Sequence, residues 1–293
     1  MPPQALANNV EPMLTVFGSI NVDLTFRLPH LPLVGETVLT STWTQAVGGK
    51  GANQAMAAAR DGARVAFVGC VGTDSYGERA RQALLDFGID VNGLQTLPGS
   101  SGLAAVWIDG EGRNQIAVAS GANEALKAEA LHRQAISAGS YLVLQMETPI
   151  GEVEAAIAYA QRRNAKIILN LAPALPLSSA VLKQVHILVL NEHEATMLSK
   201  MLRLPYAEPA NLAAGLAREL GNTVIITLGA EGAIGAQGDM LCRVAALPVT
   251  AIDTTGAGDC FVGVLASALM RGVTVPTAMR RAAAAASLAC TTI

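Results

Sequence analysis

Between residues 141 and 228 the chain alternates short apolar runs with helical stretches, and that alternation leaves few folds open. Residues 141–145, 165–170, 186–190 and 222–228 are apolar runs of strand length. Helical patterns near 151–162, 192–200 and 209–220 lie among them. Strands that are apolar on both faces and joined by helices predict a parallel sheet covered on both sides. Such sheets hold ligands beyond the C-terminal ends of their strands. Polar residues gather at those ends: Glu147, Asn170, Asn191, Glu194 and Thr227 with Gly229. Each could also serve as a cap or a turn, and it is their shared position that favours a site.

The first part of the chain fits the same sheet. Residues 13–17 read as a first buried strand and 65–71 as a second, followed by a helix over 75–87. Residues 24–45, broken by Pro29, Pro32 and Gly35, predict a small flap. Further β-prone pieces lie at 94–97, 102–108 and 114–118, the last two joined by the hairpin signal Asp109-Gly-Glu-Gly112. Together they predict a small antiparallel sheet acting as a lid, from about 24–45 and 94–118. A last hairpin is expected over 232–244, a strand over 249–253 and a final helix over 275–290. Residues 1–12 are expected to be disordered, leaving 13–293 as one domain.

Composition excludes several functions. With 293 residues, 51% of them hydrophobic, the chain can bury a large core. A net charge of −3 offers no basic footprint for nucleic acid. No apolar run reaches the roughly 18 residues of a membrane span, and the N-terminus lacks the pattern of a signal peptide. Cys70, Cys242, Cys260 and Cys290 are scattered, as expected of reduced thiols in the cytoplasm. The four histidines show no metal-ligand spacing.

Three stretches carry candidate chemistry. Asp253-Thr-Thr-Gly-Ala-Gly-Asp259 runs into an apolar helix. Thr254 and Thr255 are good N-cap types. Gly256, Ala257 and Gly258 let backbone N–H groups approach an anion at the helix start. Asp259 then stands in the first turn, where a carboxylate beside a phosphate has a use as a proton acceptor. A helix with an acid in its first turn explains the same residues without a ligand. Gly48-Gly-Lys-Gly-Ala-Asn53 opens another helix, with Lys50 and Asn53 placed to reach the same ligand; it is not a Walker A loop, since Lys50 lacks a following Ser or Thr. Asn21 and Asp23 alternate with apolar residues, so in an extended chain both face one side. Such a pair can hold sugar hydroxyls, or form an Asx-turn.

With these motifs in hand, the chain resembles the ribokinase-like (phosphofructokinase B) family of sugar kinases from about Thr15 to its end. Gly18-Ser-Ile-Asn-Val-Asp23, Gly121-Ala-Asn-Glu-Ala125, Gln145-Met-Glu-Thr-Pro149, Asn191-Glu-His-Glu194 and Thr227-Leu-Gly-Ala-Glu-Gly232 support the two glycine-rich motifs in order and spacing. The resemblance implies an α/β three-layer fold with a mainly parallel central sheet, flanked by helices, plus a small β-sheet lid. It implies transfer of the γ-phosphoryl group of ATP to the primary hydroxyl of a pentose, with ribose to ribose 5-phosphate the expected reaction. Another furanose, such as fructose, deoxyribose or a nucleoside, is the alternative.

The resemblance also implies roles. Asp259 would be the base, and Gly256, Ala257 and Gly258 the anion hole. Asn21, Asp23, Gly49, Lys50, Asn53 and Glu147 would hold the sugar. Asn191, Thr227, Gly229 and Gly232 would bind the nucleotide. Glu194 would organise Mg2+ indirectly, and Asp253 and Thr255 would bind a monovalent cation, K+. Dimerisation through the lid is expected. Members of the family continue past the last helix with a glycine-containing loop and a further helix. The sequence stops at Ile293, where that loop should begin, so weakened cation activation, or a sugar-binding relative with little turnover, is a further expectation.

Overall fold

The computed structural model describes residues 13–205 and 207–292. The expectations for residues 1–12 and for the end at Ile293 lie outside the described residues. In chain order the elements begin with β1 (Leu14–Phe17), β2 (Asn21–Arg27), β3 (Trp43–Gly48), α1 (Lys50–Arg60), β4 (Val65–Gly72), α2 (Ser75–Asp86), β5 (Asp90–Leu97), β6 (Gly102–Ile108) and β7 (Asn114–Ala119). Two 3-10 turns, Gly121–Ala125 and Ala128–Arg133, lead into the second half. There follow β8 (Tyr141–Leu144), α3 (Ile150–Gln161), β9 (Lys166–Asn170), α4 (Ser179–Leu182), β10 (Ile187–Asn191), α5 (Glu192–Met201), α6 (Pro209–Leu220) and β11 (Thr223–Thr227). The hairpin β12 (Ala233–Gln237) and β13 (Met240–Val244) precedes α7 (Ala257–Met270) and α8 (Val275–Ala289).

Nine strands form the main sheet in the order β13-β12-β11-β10-β9-β8-β1-β4-β5. The seven from β11 to β5 are parallel, and the last hairpin adds two antiparallel strands at one edge. Side chains alternate between two cores with the period of a pleated strand. Leu142 and Leu144 face one core with α3, α5 and α6, and Val143 faces the other with α1, α7 and α8. β4 is buried along its whole length, as a strand covered on both faces must be. From β1 the chain passes to β4 on one side and later to β8 on the other. The order therefore reverses at β1, and a cleft opens beyond the C-terminal ends of β1 and β8.

A second sheet, in the order β3-β2-β6-β7, rises from that cleft. It differs from the expected lid in three respects. Residues 94–97 belong to β5, which pairs in parallel with β4 in the main sheet; Leu94 is buried in the core, so this run is held by packing and not by the flap. The small sheet is also not wholly antiparallel, because β2 pairs in parallel with β6. Its first two strands run from Asn21 to Gly48, beyond the expected 24–45. Residues 249–253 form no strand. The N–H groups of Ile252 and Asp253 donate to the Cys290 carbonyl at 2.7 and 3.2 Å, and Ile252 is exposed.

α1 and α7 pack closely because both present small residues. Ala52, Ala55 and Ala58 line the buried face of α1, and Gly263 stands opposite in α7. A Cβ on Gly263 would lie 2.3 Å from the Gln54 carbonyl oxygen and 2.8 Å from the Ala57 Cβ. Gly263→Ala would gain up to about 1 kcal/mol in helix propensity. It would lose more by forcing two backbones apart, since overpacking costs about 1–3 kcal/mol. Urea unfolding should show a net loss of stability; a gain would mean that the helices part without strain.

Candidate active site

α1 starts in the cleft. Its first N–H, that of Lys50, donates to Glu147 Oε2 at 3.0 Å. The Ser19 hydroxyl donates to the same oxygen at 2.6 Å and accepts the Gly51 N–H at 3.3 Å. A carboxylate from the end of β8 is thus fixed on the positive end of a helix. Asn21, at the root of β2, is buried, and its Oδ1 accepts from Asn123 Nδ2 at 2.8 Å. Asn123 also accepts from the Ile20 N–H and donates to the Ile20 carbonyl, clasping the start of the small sheet. Asp23 pairs with Ala46 across the β2–β3 ladder, and its carboxylate leans over Gly48, where a Cβ would sit 2.1 Å from its Oδ2, so glycine alone leaves room for the carboxylate. Asp23 Oδ1 is buried with no protein donor. Burial, and then the negative charge of Glu147, push its carboxyl up to about 6.

α7 starts across the cleft. Gly256 is its N-cap, in the left-handed conformation, and no side chain caps the helix. The expected capping by Thr254 and Thr255 does not occur: Thr255 donates its N–H to Asp253 Oδ1 at 2.8 Å, and Thr254 contributes only its carbonyl, to the Ala257 N–H at 3.2 Å. A residue with positive φ occupies the cap position, which glycine takes without strain and threonine resists. The helix start therefore faces the cleft without a side chain over it. Asp259, in the first turn, is buried. Its Oδ2 accepts from Asn53 Nδ2 at 3.2 Å and its Oδ1 from Gln54 Nε2 at 2.9 Å. Burial raises its carboxyl; the Lys50 charge and the two amides pull it down, and Glu147 pushes it up again.

Asn191 and Glu194 form a capping box at the start of α5. Asn191 Oδ1 accepts the Glu194 N–H, and Glu194 Oε2 accepts the Asn191 N–H, both at 2.8 Å. The cap and the site coincide here, because the box leaves Glu194 Oε1 unused. Burial raises the Glu194 carboxyl, while its backbone bond to Asn191 and the charge of Lys50 lower it.

Three cavities join these groups. The first, of about 430 Å³, is lined by Ser19, Asn21, Asn123 and Glu147. The smallest, about 120 Å³, is lined by Lys50, Asn170, Asn191, Glu194, Gly256 and Asp259. The third, about 350 Å³, is mostly apolar, with Leu247, Pro248, Val249 and Phe261 against Thr227, Gly229, Gly232 and Ala257. Thr227 and Gly258 line both of the last two. Asp23, Gly49 and Asn53 line none of the three, but Asn53 bonds Asp259 and Asp23 feels the charge of Glu147. Asp253 and Thr255, in the stretch before α7, line none of these cavities, though Thr254 between them lines the apolar one. Ser19, Gln54 and Asn123 carry no assigned role in the sequence reading. Gln54 leaves one signal there, as an amide beside Asn53 in a helix otherwise rich in alanine.

Carboxylates, a lysine and an open helix start converge at the strand ends of a parallel sheet, which defines an α/β protein able to hold an anion beside a buried acid. The pfkB family carbohydrate kinase model matches residues 11–293. A ribokinase of Haemophilus influenzae is 38% identical over 283 residues, covering 95% of this chain and 92% of that one. The crystal structure of a ribokinase from Thermotoga maritima has a TM-score of 0.88 at 30% identity and covers 96% of this chain and 94% of its own. The structure of Arabidopsis thaliana ribokinase complexed with ribose and ATP has a TM-score of 0.85 at 30% identity, over 96% and 93% of the two chains. The chain belongs to the pfkB family of carbohydrate kinases.

The Asp23 carboxyl has a measurable consequence. Its folded value, near 6, stands above its ordinary 3.8. It therefore favours the folded state fully below pH 3.8, and that contribution is lost as pH rises through 6. At about 1.4 kcal/mol per pKa unit, the loss is roughly 3 kcal/mol. Asp23→Asn, with no charge to desolvate, should gain stability relative to the native chain between pH 4 and pH 7.5 in urea unfolding. A difference that stays constant across that range would refute the burial of this charge.

Proposed function

We propose that this chain is an ATP-dependent sugar kinase that moves the γ-phosphoryl group of ATP to the primary hydroxyl of ribose, giving ribose 5-phosphate. One observation carries the reading: Asp259 is held by two amide donors beside the uncapped start of α7 and lines a polar cavity that shares Thr227 and Gly258 with the apolar one. Asn21, Asp23, Gly49, Lys50, Asn53 and Glu147 bind and orient the sugar. Asp23 suits this task, since its buried Oδ1 lacks a donor that a sugar hydroxyl can supply. Asp259 accepts the proton of the attacking hydroxyl. Phosphoryl transfer is governed by positioning and charge stabilisation more than by covalent help, so an ordinary carboxylate suffices. Gly256, Ala257 and Gly258 present backbone at the helix start to the moving anion.

The apolar cavity suits a nucleotide base, and Asn191, Thr227, Gly229 and Gly232 border the path from it to Asp259. Magnesium, bound with ATP, supplies neutralisation of the phosphate charge. Among the described residues no three acidic, histidine or cysteine side chains are grouped to hold a metal. The fit is therefore to an ion kept largely by phosphates and water, with Glu194 Oε1 as an outer partner. Asp253 and Thr255 offer oxygen donors of the kind a potassium ion takes.

The small sheet acts as the lid that excludes water from the reaction. Its exposed apolar residues Leu33, Val34, Leu39, Trp43, Ile116 and Val118 support pairing of two chains through this surface. The four cysteines are free thiols, in keeping with work in the cytoplasm. No helix among the described residues is long and apolar enough to cross a membrane.

Two measurements test this reading. Asp259→Asn should lower kcat for ribose at least ~10²-fold, the usual range for losing a general base, while calorimetry shows ribose affinity within a few-fold. Near-native turnover would remove Asp259 from the chemistry, and an ADP-release panel of ribose, deoxyribose, fructose and a nucleoside fixes the acceptor. Trp43→Glu should shift the chain from dimer to monomer in sedimentation velocity, and a native chain that is already monomeric would end the lid-pairing proposal.

A further inference from the structure

Gln54 is the one polar side chain on the buried alanine face of α1, and it is fully buried. Its Nε2 donates to Asp259 Oδ1 at 2.9 Å and to Asn170 Oδ1 at 3.1 Å. Its Oε1 accepts from Gln145 Nε2 at 2.7 Å. Asn170 in turn donates its Nδ2 to the Val189 carbonyl at 3.2 Å. Each amide orientation is thereby fixed: Gln54 faces two oxygens, so its nitrogen must point at them, and Gln145 must turn its nitrogen to Gln54. Gln145 Oε1 is left buried without a donor, against Gly18, where a Cβ would sit 1.9 Å away. The chain of amides accepts that unsatisfied atom as the cost of its direction.

We propose that Gln54 is the positioning residue of Asp259, aiming its carboxylate into the cleft through an amide relay anchored just after β8 by Gln145 and on β9 by Asn170. The role rests on the kinase reading for its catalytic meaning, though not for its geometry. Both contacts made to Asp259 by α1, from Asn53 and Gln54, are donors, and neither nitrogen can accept a proton from a neutral acid. The cradle therefore favours the ionised carboxylate and opposes the burial that raises it. The charged groups that act on Asp259 from the surrounding elements are Lys50 on α1, Glu147 after β8 and Glu194 on α5. Lys50 favours ionisation, and the two glutamates oppose it.

The test is carboxyl NMR titration of aspartate-labelled protein, with the Asp259 signal assigned by its loss in Asp259→Asn. Gln54→Met keeps the length and removes the donor. It should raise the Asp259 midpoint by about one pH unit, the scale of one hydrogen bond to a charge. The acidic limb of kcat, at saturating ribose and ATP, should move up by the same interval, with kcat about tenfold lower at pH values below both midpoints and ribose KM within about threefold. An unmoved Asp259 midpoint, or a kcat loss without a shifted limb, would overturn the proposal. If Gln54→Met does not fold, Gln54→Glu decides: it should give two coupled midpoints, one well above the native value, and an Asp259 that titrates as in the native chain would overturn it. A native chain that makes no ADP with ribose would end the kinase reading and leave the titration comparison standing.

Discussion

The contact on which the site depends is the one between the first turns of α1 and α7. An isolated carboxylate as buried as Asp259 is costly. Asn53 and Gln54 offset that cost with two donors from consecutive residues of one helix. Those residues can reach it only because the helices touch through alanines and Gly263. Small side chains thus set a distance, and the distance makes a charge tolerable at the bottom of a cleft. The abundance of alanine in α1 and α7 is in this sense part of the active site.

The same economy appears at the other helix starts. α1 receives Glu147 on its first N–H, and α5 receives the Asn191 side chain on the N–H of Glu194. α7 alone among these three has its start open to the cleft with no side chain over it. A cap satisfies a helix and also closes it to ligands. Placing a left-handed glycine where the two threonines might have capped keeps the anion site free.

Most of the main sheet was legible in the sequence because its strands are short, continuous apolar runs alternating with helical stretches. The glycine-rich starts of α1 and α7 were legible because glycine, lysine and aspartate there make little sense as filler. The small sheet was read less well. Residues 94–97 have the same β-branched and apolar character as lid strands, and only pairing with β4 assigns them to the core. Residues 249–253 look like a strand by composition, yet their N–H groups go to a helix end. Asn123 and Gln54 were missed for a related reason. Their importance lies in hydrogen bonds to residues over one hundred positions away, which no local pattern records.

The parallel pairing of β2 with β6 has a consequence for how the covering sheet can be handled. Asn21 lies beside Gly102, and β4, α2 and β5 all intervene in sequence. The flap is therefore not a module that can be excised as one segment or grafted onto another scaffold. Its strands are woven through the body, so the loop between β1 and β4 and the excursion between β5 and β8 must both be in place before it can assemble. Such non-local pairing forms slowly, so the cover cannot become ordered as an early local unit when the chain folds.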